Sequence, residues 1–320
     1  MSDTPSVLVA GETLVDFLPN RVGPLTEVET FDRRAGGAPA NVAVALAQLE
    51  ETPWFLSNLA ADAFGDFLSA TLDDYGVPDR FVTRDEDHQT ALAFVTHDVD
   101  ADRSFSFYRE DTADLHVDAT VVPDETLDEV EWVVVGGVML AADPARTATF
   151  DLVERAREHD CQVVFDPNSR PELWADADTE AEVVSRMLGL ADVVKTSAED
   201  FARADYPDDP EAFATALLEA GPHTVLLTLG GAGSAFHAAE DAPWGETAVE
   251  HEGYPVDPED TTGAGDAFLG GALAALCRGD GPEEVLAFAN AVAAVTTTDT
   301  GAMAALPTRE EVEAFQAERE

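Results

Sequence analysis

The chain has 320 residues, of which 65 are acidic and 17 basic, and its formal net charge is −48. No stretch is basic, which excludes nucleic-acid binding, because such binding needs a positive surface that displaces counterions. A hydrophobic content of 45% argues against disorder, and the longest apolar run, residues 133–142, is too short to cross a membrane.

Strands and helices follow one another in the first third of the chain. The hydrophobic pattern predicts a strand at Val7–Ala10, alternating residues through 13–18 and a helix over 39–50. A strand over 54–59 and a helix over 63–75 come next. This order predicts an α/β protein with a mainly parallel sheet covered by helices on both faces.

A β-hairpin interrupts that order. Residues 90–97 and 103–108 each alternate with a period of two, and the acidic segment 98–102 between them has the composition of a turn. The hairpin predicts a small sheet that is separate from the main one.

From residue 131 the strand–helix order is regular and ends in a helical segment. Strands are predicted over 131–136, 162–166, 192–195 and 223–229, with edge strands over 234–237 and 246–250. Helices are predicted over 144–159, 180–190, 211–220, 263–278, 283–298 and 308–318. Because no repeat or low-complexity linker divides the chain, we expect a single domain over residues 1–320.

The acidic residues are dispersed, and the longest unbroken run is Asp85–Asp87. A protein that mimics nucleic acid or binds a basic partner would concentrate its charge in blocks. Dispersed charge favours an enzyme adapted to a salt-saturated cytoplasm, since molar salt shortens the Debye length to about 3 Å and screens self-repulsion. We therefore expect unfolding in dilute buffer.

Cysteine content and the first residues predict the compartment. The two cysteines, Cys161 and Cys277, are too few for a disulfide framework and fit a reducing environment. The first 17 residues include no basic segment, so we expect no signal peptide. A cytoplasmic location is the expectation.

Several common catalytic motifs are absent from the sequence. It has no G-x-G-x-x-G, no Walker A loop, no H-E-x-x-H, no C-x-x-C and no G-x-S-x-G. The seven histidines show no spacing typical of a metal site, and we assign them no role.

The segment 260–276, DTTGAGDAFLGGALAAL, has the most specific pattern in the chain. Polar capping residues and a glycine-rich turn lead into an apolar helix, and free N–H groups at such a helix start bind anions. Asp266 in the first turn is placed to accept a proton from a hydroxyl while the amides hold a developing phosphoryl charge. Alternatively, Asp266 only complements the helix dipole and the glycines only pack.

Lys195 is the only lysine of the chain. All other basic residues are arginines, so the retained lysine indicates a role that needs a compact point charge. The usual role of that kind is to contact a phosphate, for which a guanidinium is less suited. Chance retention is the alternative.

The chain resembles the ribokinase-like, or pfkB, carbohydrate kinases over nearly its full length. GGAPANVAVALAQL (36–49) and DTTGAGDAF (260–268) are similar to the two family signatures. The segments between them are similar to the fructokinase branch: GETLVDF (11–17), SFYR (106–109), DPNSRPELW (166–174), VVKTSAED (193–200) and TLGGAGS (228–234).

The resemblance implies a three-layer α/β/α domain with a small β-sheet lid, whose strands come from about 12–34 and 88–110. It implies ATP as phosphoryl donor, Mg²⁺ held mainly by phosphates and waters, and K⁺ beside the anion site. Asp266 is then the general base, with Gly263, Ala264 and Gly265 completing the anion hole.

The resemblance also assigns the sugar site. The implied residues are Asp16, Gly36, Gly37, Asn41, Tyr108, Arg109, Asn168 and Arg170. Several have a structural alternative: Asn41 as a late helix cap, the glycines as a plain turn, Tyr108 as packing within the lid, and either arginine as the partner of one of the 65 acids. Glu12 is expected to be structural.

Nucleotide and cation positions follow from the same resemblance. The nucleotide residues are Lys195, Ser197, Thr228, Gly230, Gly233 and Asn290, the last with an ordinary helix position as the alternative. The magnesium acid is Asp200 or Glu199, because Ser197 replaces the Asn found in many relatives. The potassium residues are Asp260, Thr262, Thr300 and Gly301.

The sequence therefore predicts an ATP-dependent hexose kinase, with fructose as the substrate. An alternative substrate is 2-keto-3-deoxygluconate, whose carboxylate Arg109 and Arg170 would bind together. A different class, a non-catalytic sugar- or nucleotide-binding regulator, is disfavoured by the intact GAGD loop. We expect no membrane partner, and homodimerisation through an exposed lid edge is an option.

Overall fold

The computed structural model describes residues 4–21, 23, 25–97 and 103–319. Within these residues, a nine-stranded sheet forms the centre of the molecule. The strands of the chain are β1 (Val7–Ala10), β2 (Leu14–Pro19), β3 (Phe31–Gly36), β4 (Trp54–Ala60), β5 (Phe81–Asp85), β6 (Leu92–His97), β7 (Arg103–Tyr108), β8 (Trp132–Gly136), β9 (Gln162–Asp166), β10 (Val193–Thr196), β11 (Thr224–Thr228), β12 (Ser234–Ala238) and β13 (Thr247–His251). The central order is β13-β12-β11-β10-β9-β8-β1-β4-β5, parallel except for the antiparallel β12 and β13.

Helices cover both faces of this sheet. They are α1 (Ala38–Gln48), α2 (Ala63–Asp74), α3 (Asp124–Leu127), α4 (Gly137–Leu140), α5 (Ala145–Glu158), α6 (Ala177–Leu188), α7 (Pro210–Ala220), α8 (Ala264–Cys277), α9 (Pro282–Thr296) and α10 (Arg309–Ala317). One buried apolar cluster joins the sheet to α1, α8 and α9, and a second joins it to α5, α6 and α7. The predicted three-layer α/β/α fold is confirmed.

Helix α8 is buried from Asp266 to Leu276 and packs between α1 and α9. Its sequence is apolar on every side, as expected for a helix without a solvent face. No helix among the described residues has both the length and the apolar character needed to cross a membrane.

The small sheet, called the lid sheet below, has the order β3-β2-β6-β7 within the described part of the chain. The hairpin β6–β7 is antiparallel as predicted, and its turn, 98–102, lies outside the described residues. Phe17, Phe31 and Phe94 pack on one another in the lid sheet, with ring centroids 4.9–6.5 Å apart.

Strand β5 has no counterpart among the strands predicted from the hydrophobic pattern, and β3 was expected only as part of the lid range 12–34. Both carry charged residues in the middle, with Arg33 and Arg34 in β3 and Arg84 in β5, because both lie at a sheet edge. Edge strands are exposed on one side, so the apolar alternation that identifies a strand is weakened.

The carboxyl ends of the central strands place the polar segments on one edge of the sheet. Residues 11–13 follow β1, residues 167–170 follow β9, and residues 197–200 follow β10. Strand β1 lies between β8 and β4, which is a topological switch point where open α/β sheets bind ligands.

Candidate active site

Asp266 lies in the first turn of α8 and faces these strand ends. Asn41 of α1 donates to its Oδ2 at 2.8 Å, and Asn168, which follows β9, donates to its Oδ1 at 3.4 Å. Burial raises the pKa of Asp266, although Lys195 and the hydrogen bond from Asn41 act in the opposite direction. The carboxylate is therefore fixed in orientation and more basic than an exposed one.

The start of α8 beside Asp266 provides hydrogen-bond donors. Gly263 is the N-cap with φ +78°, where a Cβ would lie 2.7 Å from the Cβ of Ala302. Among the hydrogen bonds of the described residues, none uses the amide N–H of Gly265 or Asp266, whereas that of Ala264 is engaged within the turn. Two unengaged amides at the positive end of a helix dipole form an anion site.

A cavity of about 330 Å³, called the sugar cavity below, lies between Asp266 and the lid sheet. The charged residues among its described lining are Glu12, Asp16, Arg170, Glu199 and Asp266. Burial raises the pKa of Asp16 to about 7, against the opposing charge of Arg170. Phe105 and Phe107 supply an apolar wall.

A second cavity of about 360 Å³, called the nucleotide cavity below, lies on the other side of the GAGD turn. None of the described residues that line it carries a formal charge. Thr228, Gly230, Gly233 and Asn290, all predicted for the nucleotide, are in its wall. Asn290 already donates to Ser234 and to a backbone carbonyl of its own helix.

Thr261 and Gly265 line both cavities. The N-terminus of α8, with its free amides, is thus part of the wall that the two cavities share.

Lys195 lies directly behind this wall, not in it. Its Nζ is 2.9 Å from Asp166 Oδ2, and a Cβ built on Gly265 would lie 2.9 Å from the same Nζ. Both partners of this ion pair are buried. Burial opposes the charge of Lys195, but Asp166 and other nearby carboxylates raise its pKa, so it stays a cation at neutral pH.

Three of the eight residues predicted for the sugar, Arg109, Tyr108 and Gly36, do not line the sugar cavity. The guanidinium of Arg109 is buried against Asp114 and the carbonyl oxygen of Val138. Tyr108 is 64% exposed and packs on Phe94. Because side chains alternate along β7, its Phe105 and Phe107 face the cavity and Tyr108 faces away.

The other five predicted sugar residues line the cavity. Asp16, Gly37, Asn41, Asn168 and Arg170 are in its wall. Gly36 lies one step back, where a Cβ would collide with the carboxylate of Asp16, so glycine there makes room for that side chain.

The acids at 199 and 200 have different surroundings. Asp200 accepts hydrogen bonds from the backbone N–H of Ser169 and from Thr196 and Ser197, and it forms a capping box with Ser197. Glu199 is exposed and lines the sugar cavity. Ser197 thus acts within the turn and is not among the residues lining the nucleotide cavity.

The segment predicted for potassium joins two turns. Asp260 accepts from the N–H and hydroxyl of Thr262 and from the N–H of Gly301. Thr300 is exposed and donates to Glu259. The segment before α8 is therefore tied to the turn after α9.

Glu12 is the site residue that the sequence analysis assigned to structure only. It lines the sugar cavity, and its Oε2 is buried with no hydrogen-bond partner among the described residues. Burial raises its pKa to about 7, opposed by Arg109. Its place directly after the carboxyl end of β1 was the signal that could have identified it.

Two cavities that share an anion-binding helix N-terminus, with a buried carboxylate beside it, define a phosphotransferase that acts on an alcohol. Comparison with known proteins agrees. The chain belongs to the pfkB family of carbohydrate kinases, whose family model matches residues 4–309.

Similar proteins include several fructokinases. Fructokinase-1 of Oryza sativa subsp. japonica is 36% identical over 315 residues, which cover 96% of each protein. The crystal structure of a fructokinase with bound ATP from Xylella fastidiosa matches with a TM-score of 0.86 and 31% identity, covering 98% of this chain and 99% of that one. A fructokinase double mutant from Vibrio cholerae O395, with fructose, ADP and potassium ion bound, matches with a TM-score of 0.85 and 32% identity, covering 98% and 99%.

The protein is therefore an ATP-dependent sugar kinase of the fructokinase-like type. The predicted family and the predicted enzyme class are confirmed.

Proposed function

We propose that the protein phosphorylates a hydroxyl of fructose, with Asp266 as the general base. The observation that supports this most is the position of the Asp266 carboxylate. It is buried, held by Asn41 and Asn168, and adjacent to free amides in the wall between the two cavities.

The proposed chemistry assigns one role to each group. Asp266 accepts the hydroxyl proton as the sugar oxygen bonds to the γ-phosphorus, and ADP leaves with the electrons of the broken P–O bond. The amides of Gly265 and Asp266 donate to the transferring phosphoryl oxygens. Lys195, held by Asp166, adds a fixed positive charge behind those amides.

The charges of the sugar cavity favour a neutral sugar over a keto-acid. Four of the charged residues that line its described part are acidic, and Arg170 alone is basic. The keto-acid hypothesis needs Arg109 beside Arg170, but Asp114 already neutralises the buried guanidinium of Arg109. A substrate carboxylate would meet net repulsion there.

The donors of the site fit the two expected cations. For Mg²⁺, Glu199 is the acid with room for a water-mediated contact, since Asp200 is engaged by three neighbouring residues. For K⁺, the turns tied by Asp260, with Thr262 and Gly301, present oxygen donors suited to a hard cation. Bound Mg²⁺ would neutralise phosphate charge.

ADP release across a sugar panel in molar KCl, with ATP and Mg²⁺, tests the substrate. We expect turnover of fructose and at least tenfold lower kcat/KM for 2-keto-3-deoxygluconate. The reverse preference would overturn the substrate assignment. Binding of fructose and ATP without turnover of any sugar would favour the regulator instead.

Two further expectations from the sequence stay proposals. A cytoplasm rich in potassium salts suits the charge of −48, and turnover is then expected to rise with KCl. A homodimer through the free edges of the lid sheet, β3 or β7, would be detected by sedimentation in the same buffer.

A further inference from the structure

Two histidines and an aspartate from two separate segments of the chain meet at the base of the lid sheet. His88 lies between β5 and β6, while Asp111 and His116 follow β7. One ligand atom of each lies within 4.8 Å of the others. The Oδ1 of Asp111 is 2.8 Å from Nε2 of His116 and 3.7 Å from Nε2 of His88.

We propose that His88, Asp111 and His116 form a binding site for a divalent transition-metal ion such as Zn²⁺, with solvent in the fourth position. Two imidazoles and a carboxylate are ligands that Zn²⁺, Co²⁺ and Ni²⁺ favour, whereas Mg²⁺ prefers oxygen donors alone. The site is thus chemically distinct from the magnesium chemistry of the nucleotide.

The distances are close to those of a tetrahedral site. Metal–nitrogen bonds of about 2.0–2.1 Å place neighbouring ligand atoms about 3.4 Å apart. To reach that spacing, the 3.7 Å contact between Asp111 and His88 must close by about 0.3 Å and the 2.8 Å contact between Asp111 and His116 must open by about 0.6 Å. The rings of His88 and His116 are stacked with centroids 3.6 Å apart, so each ring must also turn about its last torsion, which has a broad minimum.

Asp85 prepares His88 for ligation. Its Oδ2 lies 2.9 Å from Nδ1 of His88, and its Oδ1 accepts from the backbone N–H groups of Asp87 and His88. A carboxylate that holds Nδ1–H fixes the tautomer and leaves the Nε2 lone pair for a metal. The amide of Asn58 in turn donates to Asp85 at 3.3 Å.

The backbone holds the two segments together without any ion. Gln89 and Thr112 form an isolated β-bridge, and the N–H of Ala113 donates to the carbonyl of Gln89 at 2.9 Å. The ligands come from the segments that lead into and out of the hairpin β6–β7. A bound ion would therefore cross-link both connections of that hairpin and restrain the lid sheet.

Titration of the chelator-treated protein with Co²⁺, in molar KCl and excess Mg²⁺, tests the site. We expect one saturable equivalent per chain, with the visible absorption of four-coordinate cobalt. His88→Gln or His116→Gln should weaken binding at least tenfold, and Asp85→Asn should weaken it by about 10–100-fold through lost orientation.

His159→Gln is the matched control, because His159 also contacts two carboxylates, Asp128 at 2.7 Å and Asp124 at 3.9 Å, with similar exposure. Its replacement should leave Co²⁺ affinity unchanged. The proposal is overturned if no saturable binding occurs in the excess of Mg²⁺. It is also overturned if His88→Gln binds as tightly as the unmutated protein, or if His159→Gln weakens binding equally.

A measurement on the unmutated protein guards against variants that fail to fold. Zn²⁺ should shift the imidazole nitrogen resonances of two of the seven histidines, and the shifted pair should be His88 and His116. Shifts at other histidines, or at none, would contradict the site. Kinase activity is not needed for either readout.

Discussion

The two cavities of the active site differ in how they are built. The described lining of the sugar cavity includes Glu12, Asp16, Arg170, Glu199 and Asp266, of which Glu12 and Asp266 are buried, whereas that of the nucleotide cavity has no formally charged residue. In a chain of net charge −48, acids are thus excluded from the described wall of the cavity proposed for a polyanion. The cavity proposed for the small sugar instead presents carboxylates.

This difference indicates two modes of recognition. Under the proposed function, backbone amides, glycines and shape would bind the nucleotide, because a neutral wall adds no repulsion to an already repulsive field. Side-chain carboxylates would bind the sugar, since hydrogen bonds from hydroxyls to charged acceptors are strong and directional. Variants of each cavity should therefore affect different kinetic constants.

The largest expected effect is at the residue between the cavities. Asp266→Asn removes the proton acceptor and should reduce kcat by about 10²–10⁴. The dissociation constants of fructose and ATP, measured by calorimetry, should change only a few-fold. Asp257→Asn, at an exposed acid before α8, is the control and should keep full turnover. An undiminished kcat of the Asp266→Asn variant would show that Asp266 is not the general base.

The buried ion pair behind the wall should dominate stability. Lys195→Met leaves the buried Asp166 carboxyl without its ion-pair partner, which should lower the free energy of unfolding by about 3–5 kcal/mol. The double variant Lys195→Met with Asp166→Asn should recover much of that loss. Urea unfolding in molar KCl measures both. Equal stability of the single variant and the unmutated protein would show that the pair contributes nothing.

One substitution in each cavity tests their independence. Asp16→Asn should raise the KM for fructose by about 10–100-fold and leave the KM for ATP unchanged, since a charged acceptor is lost. Gly233→Ala should raise the KM for ATP and leave the KM for fructose unchanged, because Gly233 has φ +94° and a Cβ there would collide with the carbonyl of His251. Steady-state kinetics separate the two. Parallel changes in both constants would contradict the division.

The smallest expected effect is a change in pH dependence. Burial raises the pKa of Glu12 from 4.5 to about 7. The neutral carboxyl therefore contributes stability that is fully present below about pH 4.5 and is lost as the pH rises through 7. Glu12→Gln should stabilise the ligand-free protein at pH 8 by on the order of 2 kcal/mol and have little effect at pH 4.5. Thermal unfolding at both pH values measures the difference. A constant shift at all pH values would assign the effect to packing.

Part of the layout of the site was predictable from sequence position, because Asn168 follows a strand end and Asn41 and Asp266 lie near the starts of helices. All three line the sugar cavity together with Asp16 of β2. The place of Arg109 was not predictable, because Asp114, five residues away, holds its guanidinium. Tyr108 faces away from the cavity through the strand alternation that the sequence already showed. Glu12 was underrated because burial of its carboxyl is not visible in a sequence.

The sequence by itself determined the layer architecture, the helix-start anion motif and the family, since these depend on local periodicity and contiguous signatures. Tertiary structure alone decided which charges meet. It brought His88 to His116 across the lid hairpin, paired Arg109 with Asp114, and kept charged side chains out of the described wall of the nucleotide cavity. Electrostatic partnership depends on distances of a few ångströms between chain segments, and spacing along the sequence does not encode those distances.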